Sequence, residues 1–184
     1  MRKILNNELG RPTPEQFAAA AKMPVTVVLD NVRSALNVGS FFRTCDAFAA
    51  EKIALCGITA TPPDREIHKT ALGAELTVAW QHFASTVECI EDLRADGYTV
   101  LAVEQVEGSV MLQNLSETLA AANANDKKYA LVFGNEVEGV DQQAADMCDG
   151  AIEIPQVGTK HSLNVSVAGG VVLWDFFCRL QLKA

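Results

Sequence analysis

The chain has 184 residues, of which 49% are hydrophobic and 21% charged, and its formal net charge at pH 7 is −8. This composition is typical of one folded domain with a sizeable core, and it excludes a disordered chain. The acidic balance argues against a protein held to nucleic acid by a generally basic surface, although it leaves room for a local basic patch.

Elementary sequence features also restrict location and metal chemistry. No apolar run reaches the length of a membrane span, and the opening MRKILNNELGRPTP lacks the apolar centre of a signal peptide, so we expect a cytoplasmic protein without a membrane partner. The five cysteines are an odd number without a C-x-x-C pair and are predicted to be reduced core residues. Three scattered histidines without neighbouring ligands predict no metal site.

The first 24 residues are predicted to be an extension that contains one short helix, TPEQFAAAAK. Thr13 suits the N-cap of this helix, Pro14 its first position and Gln16 the capping-box position. The remainder, residues 25–184, is expected to form one domain.

From residue 25 onward, short apolar segments alternate with longer amphipathic ones. The predicted strands cover residues 25–30, 52–57, 98–105, 129–136 and 151–156, with 76–80 as a shorter candidate. The predicted helices cover residues 35–49, 85–95, 140–147 and 162–180, the last being apolar on nearly every face. This alternation predicts an α/β domain, with a mostly parallel sheet and helices on both faces.

In such sheets ligands bind beyond the carboxyl ends of the strands, where three polar loops would meet. Their notable residues are Asn37, Gly39 and Arg43; Gly134, Asn135 and Glu136; and Ser162 with Asn164. Purely structural interpretations also exist. Asn37 and Ser162 could cap helices, Glu136 could pair with a loop base, and Arg43 could be a solvated flank residue.

Several familiar sites are absent from the sequence. No G-x-G-x-x-G follows the first strand, no Lys-Ser/Thr follows the second glycine of GNEVEGV, and no G-x-S-x-G occurs. These absences argue against dinucleotide binding, P-loop nucleotide hydrolysis and serine hydrolase chemistry.

The three loop segments resemble the three motifs of the SpoU, or TrmH-type, branch of the SPOUT RNA methyltransferases. The segments are NVGSFFRTCDAF, LVFGNEVEGV and IEIPQVGTKHSLNVSVA, and their order and spacing agree with the family. The resemblance implies a SPOUT methyltransferase domain over residues 25–184 with a C-terminal trefoil knot. It further implies transfer of the methyl group of S-adenosylmethionine to a ribose 2′-hydroxyl in tRNA or rRNA. The acidic balance, which leaves only a small local basic patch for binding, favours a small substrate such as part of a tRNA.

The same resemblance assigns roles to individual residues. The implied catalytic group comprises Arg43, Asn37, Glu136, Ser162 and Asn164, and the implied cofactor-binding group comprises Gly134, Ile154 and Leu163 with Val103 or Glu104. The family assigns the arginine as the base. The pKa of a guanidinium lies above about 12, so the group keeps its proton at neutral pH. We therefore expect Arg43 to hold a phosphate and stabilise the developing alkoxide.

The resemblance also implies a homodimer that forms through the last helix, in which Arg43 works near the cofactor of the partner subunit. A local basic patch of Arg33, Arg65, Lys69 and Lys160 is expected to bind RNA against the overall negative charge. Two alternatives remain open. One is a methyltransferase with a non-RNA substrate, and the other is a non-catalytic knotted RNA-binding module.

Overall fold

The structure is a computed structural model that describes residues 1–115 and 127–182. Its strands are β1 Met23–Asp30, β2 Ala50–Cys56, β3 Trp80–Phe83, β4 Tyr98–Val103, β5 Val110–Met111, β6 Lys128–Phe133 and β7 Gly150–Glu153. Its α-helices are α1 Pro14–Ala19, α2 Ala35–Ala47, α3 Arg65–Ala71, α4 Thr86–Ala95, α5 Gln142–Met147 and α6 Val165–Leu180.

The seven strands form one sheet in the order β3-β2-β1-β6-β4-β7-β5, and every neighbouring pair is parallel. The predicted α/β architecture is therefore confirmed. Because all the strands run the same way, the loops that follow them emerge at one edge of the sheet.

Alternate residues of β1 enter two separate cores, one on each face of the sheet. Val27 and Leu29 belong to the core under α2, α3 and α6, which includes Phe41 and Phe176. Val28 belongs to the core under α4 and α5. Helices thus cover both faces, as the near-continuous apolar strands predict.

The capping box of α1 is present as predicted. The backbone N–H of Gln16 donates to Thr13 Oγ1 (3.3 Å), and that of Thr13 donates to Gln16 Oε1 (2.9 Å). Phe17 of this helix packs against the core beneath α2 and α6.

Two local predictions differ from the structure between β2 and α4. The strand expected at 76–80 is wrong, because Ala74–Leu76 forms a 3-10 turn and β3 begins only at Trp80. Gly73, with φ of +97°, starts that turn. No helix is predicted between the strands expected at 52–57 and 76–80, but this segment contains α3. Its N-cap carboxylate, Asp64, accepts the backbone N–H groups of Glu66 and Ile67. A helix this short gives little periodic signal.

Helix α3 lies unusually close to α2 at Gly39. A Cβ atom there would stand 2.1 Å from Thr70 Oγ1 and 2.2 Å from the carbonyl oxygen of Ile67. The Thr70 hydroxyl also donates to the carbonyl oxygen of Leu36 (2.8 Å). The absent side chain of Gly39 therefore allows the two helices to be held together.

In the described parts of the chain, no helix combines the length and apolarity needed to cross a bilayer. All five cysteines are free thiols, and the prediction that they lie in the core holds for three of them. Cys45, Cys56 and Cys89 are buried, whereas Cys148 and Cys178 are half-buried.

Candidate active site

Three segments that are far apart in sequence are joined by one chain of hydrogen bonds. Asn37 Nδ2 donates to Glu136 Oε1 (2.8 Å), and Asn164 Nδ2 donates to Asn37 Oδ1 (3.2 Å). The hydroxyl of Ser166 donates to Asn164 Oδ1 (2.7 Å). The first turn of α2, the loop after β6 and the start of α6 therefore meet, at the sheet edge where the sequence predicts that the three segments come together.

The carboxylate of Glu136 is the acceptor at one end of this chain. Besides Asn37, it accepts the backbone N–H groups of Arg33 (3.1 Å) and Ser34 (3.2 Å). Burial by itself raises the pKa of Glu136, but these hydrogen bonds outweigh burial and hold the pKa below its ordinary value. The side chain is thus an anion that fixes the N-terminal turn of α2.

The N-caps of α2 and α6 are not Asn37 and Ser162, which the sequence offers as possible caps. Ser34 caps α2 by accepting the backbone N–H of Asn37, and Asn164 caps α6 by accepting those of Ser166 and Val167. Asn37 therefore keeps both ends of its amide for the contacts between loops, and Ser162 is an exposed residue before the helix.

A cavity of about 510 Å³ opens between the carboxyl ends of β4, β6 and β7 and the segment that leads into α6. All five predicted cofactor-binding residues line it, namely Val103, Glu104, Gly134, Ile154 and Leu163. Three of the predicted catalytic residues, Glu136, Ser162 and Asn164, line it as well. The cavity has the size of a typical small-molecule site.

The wall formed by the loop after β6 is tightly folded. A Cβ atom on Gly134 would lie 1.9 Å from the carbonyl carbon of Gly139 and 2.0 Å from the backbone nitrogen of Val140. Asn135 and Gly139 exchange two backbone hydrogen bonds of 3.0 and 3.1 Å across the loop. Only glycine fits at position 134, so backbone groups stand close to the cavity there.

The carboxylates of Glu104 and Asp30 hold this loop, and only Glu104 is predicted from the sequence as a site residue. Glu104 Oε2 accepts the backbone N–H of Val140 (3.1 Å). This carboxylate oxygen of a cavity residue is therefore already engaged by the loop. Asp30, which is fully buried at the end of β1, accepts the backbone N–H of Asp141 (2.7 Å) and the hydroxyl of Thr86 (2.5 Å). In the sequence, Asp30 could have been recognised as a site residue because it is an acidic residue at the end of an apolar strand.

Arg43 lies apart from the cavity of its own chain. It is exposed on α2, beside a depression of about 330 Å³ whose other wall includes Leu72, Gly73 and Ala74. Its guanidinium makes no hydrogen bond or ion pair with another residue that the structure describes. Within residues 1–115 and 127–182 of one chain, no hydrogen bond therefore links Arg43 to the network of Asn37, Glu136 and Asn164.

The four predicted RNA-binding residues are all exposed. Arg33 adjoins Glu136 through its backbone, Arg65 and Lys69 share α3, and Lys160 lies in the segment before α6. Lys69 donates to Glu66 (2.5 Å), which reduces the charge it presents.

Helix α6 carries an exposed apolar stripe. Because the helix is apolar on nearly every face, its sequence does not indicate which face is exposed. Val167, Val171 and Trp174 repeat at helical spacing and are exposed, Trp174 by 51%. The opposite side of the helix, with Leu173 and Phe176, is buried in the core. Among the described residues, the ring of Trp174 contacts only Phe48 and Phe177 along one side, so this face of α6 stays about half exposed.

S-adenosylmethionine fits the cavity by chemical character as well as size. Apolar side chains such as Leu163 and Ile154 lie beside the polar backbone around Gly134, which suits an adenosine with a polar tail. Among the described residues, no group of three or more His, Cys, Asp or Glu side chains could hold a metal ion.

Comparisons with known proteins identify the family and the fold of this chain. The model of the SpoU rRNA Methylase family matches residues 24–174. The tRNA (guanosine(18)-2'-O)-methyltransferase of Thermus thermophilus is 31% identical over 96% of this chain and 86% of its own length. An AdoMet-bound rRNA methyltransferase from Sinorhizobium meliloti superposes with a TM-score of 0.76 at 29% identity, covering 89% of this chain and 60% of that one.

The fold alone is also shared with the A. aeolicus TrmH/SpoU tRNA modifying enzyme, at a TM-score of 0.75 and 24% identity over 89% of this chain and 79% of that one. The family model covers most of the chain and includes all three segments that meet at the network. The chain therefore belongs to the SpoU rRNA Methylase family of S-adenosylmethionine-dependent RNA methyltransferases.

Proposed function

We propose that this chain methylates the 2′-hydroxyl of a ribose in tRNA. The observation that carries the proposal is the convergence of Asn37, Glu136 and Asn164 beside a cavity that suits the methyl donor. The choice of tRNA and of the ribose oxygen is supported by the Thermus relative, whose name states both and which matches nearly the whole chain.

In this proposal the chain acts mainly by positioning. The cofactor supplies an electrophilic methyl group when bound, and the backbone around Gly134 together with Leu163 and Ile154 holds it in the cavity. The hydrogen-bonded network fixes the loops that border the cavity, so that a ribose oxygen meets a preformed site. Alignment of reactants alone can lower a barrier by roughly 7 to 11 kcal/mol.

We further infer a homodimer that forms through the exposed stripe of α6, defined by Val167, Val171 and Trp174. This stripe supports the inference because large apolar patches on a surface mark interaction sites. The position of Arg43 outside its own cavity supports it too, since a partner subunit could bring its own arginine to the site. The family's trefoil knot remains part of the proposal.

The test is to incubate the protein with radiolabelled S-adenosylmethionine and separated tRNA and rRNA from a host strain that lacks the gene. We expect label in tRNA as an alkali-stable 2′-O-methyl mark. Label in rRNA alone would contradict the choice of tRNA but retain the reaction.

The same experiment separates the alternatives. If the protein binds the cofactor and labels no RNA, a non-RNA substrate becomes the better proposal, and the net charge of −8 supports it. If the protein binds RNA but not the cofactor, the non-catalytic module is favoured.

A further inference from the structure

The charged side chains that line the cavity are nearly all of one sign. Among the described residues, four glutamates line it and no lysine or arginine does, while His161 is the one imidazole in the lining. The glutamates are Glu104, Glu136, Glu138 and Glu153. Because carboxylates are anions at neutral pH, the lining carries negative charge.

None of these carboxylates forms an ion pair with the part of the chain that the structure describes. Glu104 instead accepts the backbone N–H groups of Gln105 (2.8 Å) and Val140 (3.1 Å). Glu153 accepts the hydroxyl of Ser109 (2.8 Å). Neutral donors of this kind fix a carboxylate in position and stabilise its charged form, but they do not cancel its charge.

The positive contributions near the cavity are smaller. The start of α6 lines the cavity, and the N-terminus of a helix is equivalent to about half a unit of positive charge. The proposed dimer would add one arginine from the partner subunit. Four carboxylates outweigh both contributions, so the potential inside the cavity is negative.

The methyl donor and its product differ in charge at one atom. S-adenosylmethionine carries a positive charge on its sulfonium. When the methyl group leaves, the electron pair of the carbon–sulfur bond stays on sulfur, and S-adenosylhomocysteine is a neutral thioether. The ammonium and carboxylate groups are the same in both molecules. A negative cavity therefore attracts the donor more strongly than the product.

We propose that the four cavity glutamates select the cationic donor over the thioether product, so that the product leaves readily and inhibits weakly. The inference rests on the proposed function, because it concerns the cavity assigned there to the donor of this family. Glu138 and Glu153 are the residues that test it. Glu104 and Glu136 also hold backbone segments in place, so their substitution would change more than charge.

The same charge opposes the methyl-transfer step slightly. The positive charge on sulfur diminishes as the methyl group leaves, so the carboxylates stabilise the bound donor more than the transition state. Removing a carboxylate should therefore weaken donor binding without slowing transfer at saturating donor. Damage to the cavity wall would instead weaken the binding of donor and product alike.

The test measures affinities by calorimetry for the wild-type protein, Glu138→Gln, Glu153→Gln and the double variant. The ligands are the donor, the product and sinefungin, which carries an ammonium group in place of the methylated sulfonium. Measurements at pH 8, where an imidazole is mostly neutral, are made in 50 and 500 mM salt. Glu91→Gln is the matched control, because it removes the same charge from an exposed position on α4 outside the cavity.

In 50 mM salt we expect the wild-type protein to bind the donor at least about 10-fold more tightly than the product, since each partly screened carboxylate contributes about two- to threefold. The double variant should lose about fourfold or more in affinity for donor and sinefungin, with the product unchanged. Glu153 should contribute more than Glu138, because it is half-buried and Glu138 is exposed. High salt should weaken donor binding only.

Single-turnover transfer to unmodified host tRNA at saturating donor should be as fast in the double variant as in the wild type, or faster. Glu91→Gln should match the wild type in every measurement. This combination of weaker donor binding with undiminished transfer is not expected from a residue needed only for folding.

Equal wild-type affinities for donor and product would overturn the inference. So would a double variant that loses the same factor for both ligands. Weak binding of sinefungin beside tight binding of the donor would overturn it too, since packing of the methyl group and not charge would then make the selection. If the donor binds but no RNA is labelled, the proposed substrate fails while the affinities still decide the inference.

Discussion

Asn37 links two parts of the site, because its side-chain amide bonds both Glu136 and Asn164. Its nitrogen donates to Glu136 and its oxygen accepts from Asn164. An amide can donate and accept at the same time, whereas an ionised carboxylate can only accept and an aliphatic side chain can do neither. The residue type therefore follows from the position of Asn37 between an anion and a second amide.

Glu136 provides a test of this network through pH. We expect Glu136→Gln to lower the free energy of unfolding at pH 7 by about 1 kcal/mol, since a neutral acceptor binds the N–H groups of Arg33 and Ser34 less strongly and water screens the exposed charge. The folded-state pKa is depressed, so this stability is present above the ordinary pKa and is lost as the pH falls through the folded value.

The difference between wild type and Glu136→Gln should consequently shrink below about pH 4. Urea unfolding at pH 7 and pH 3 measures it, with Glu138→Gln as the control, because the carboxylate of Glu138 makes no hydrogen bond with the described residues. An equal difference at both pH values would contradict the role given to the charge.

At the scale of elements, two close approaches require a residue without a side chain. The loop after β6 closes upon itself at Gly134, and α6 crosses α2 at Gly169. Neither glycine has a positive φ, so steric room and not backbone conformation requires them.

Gly134→Ala should disrupt the cavity wall, because the new Cβ would overlap the backbone of Gly139 and Val140, which cannot yield as a side chain can. We expect the affinity for S-adenosylmethionine to fall at least about 30-fold, as measured by calorimetry. Gly158→Ala is the matched control, since a Cβ there meets nothing within 4 Å. Equal affinities for the two variants would refute the steric argument.

Gly169→Ala tests the packing of α6 on α2. The added Cβ would lie 2.2 Å from Cε1 and 2.6 Å from Cζ of the buried Phe41 ring. We expect a loss of about 1 to 3 kcal/mol in the free energy of unfolding from overpacking. Gly170→Ala, one residue on, meets nothing within 4 Å and should be neutral or up to about 1 kcal/mol stabilising through helix propensity.

At the scale of the whole molecule, two surface features bear on assembly and on RNA. The stripe of Val167, Val171 and Trp174 leaves apolar area exposed in the single chain, which association would bury. The net charge of −8 opposes RNA at long range, so we propose that binding comes from a few local basic residues.

Trp174→Glu should convert the proposed dimer into a monomer, because a charge in an apolar interface loses its hydration without gaining a partner. Light scattering after gel filtration should give about the single-chain mass of 19.8 kDa for the variant and twice that for the wild type. Gln143→Glu adds the same charge on exposed α5 and should leave the dimer intact. A dimeric Trp174→Glu protein would rule out this stripe as the interface.

The affinity for tRNA should depend only weakly on salt. Four candidate basic residues, one of them already paired with Glu66, give a slope of about −3 in a plot of log affinity against log salt concentration, since each phosphate contact contributes about −0.7 to −0.9. Filter binding from 50 to 300 mM salt measures it. A slope near −8 would instead indicate many phosphate contacts.

The sequence by itself determined the alternating elements, the parallel sheet and the family. These depend on local periodicity and on short motifs, which each segment carries whatever surrounds it. It also indicated that three loops meet at one sheet edge, since parallel strands end together.

Only the tertiary structure decided which residues of those segments cap a helix and which link distant segments. Asn37 is a bridge and not a cap because its partners lie 99 and 127 residues away, beyond any local pattern. Which helices pack together likewise decides three other features. These are the separation of Arg43 from the cavity, the burial of the Asp30 carboxylate, and the partial exposure of the stripe on α6. Contacts of this kind arise from the relative placement of distant segments, which a single sequence does not display.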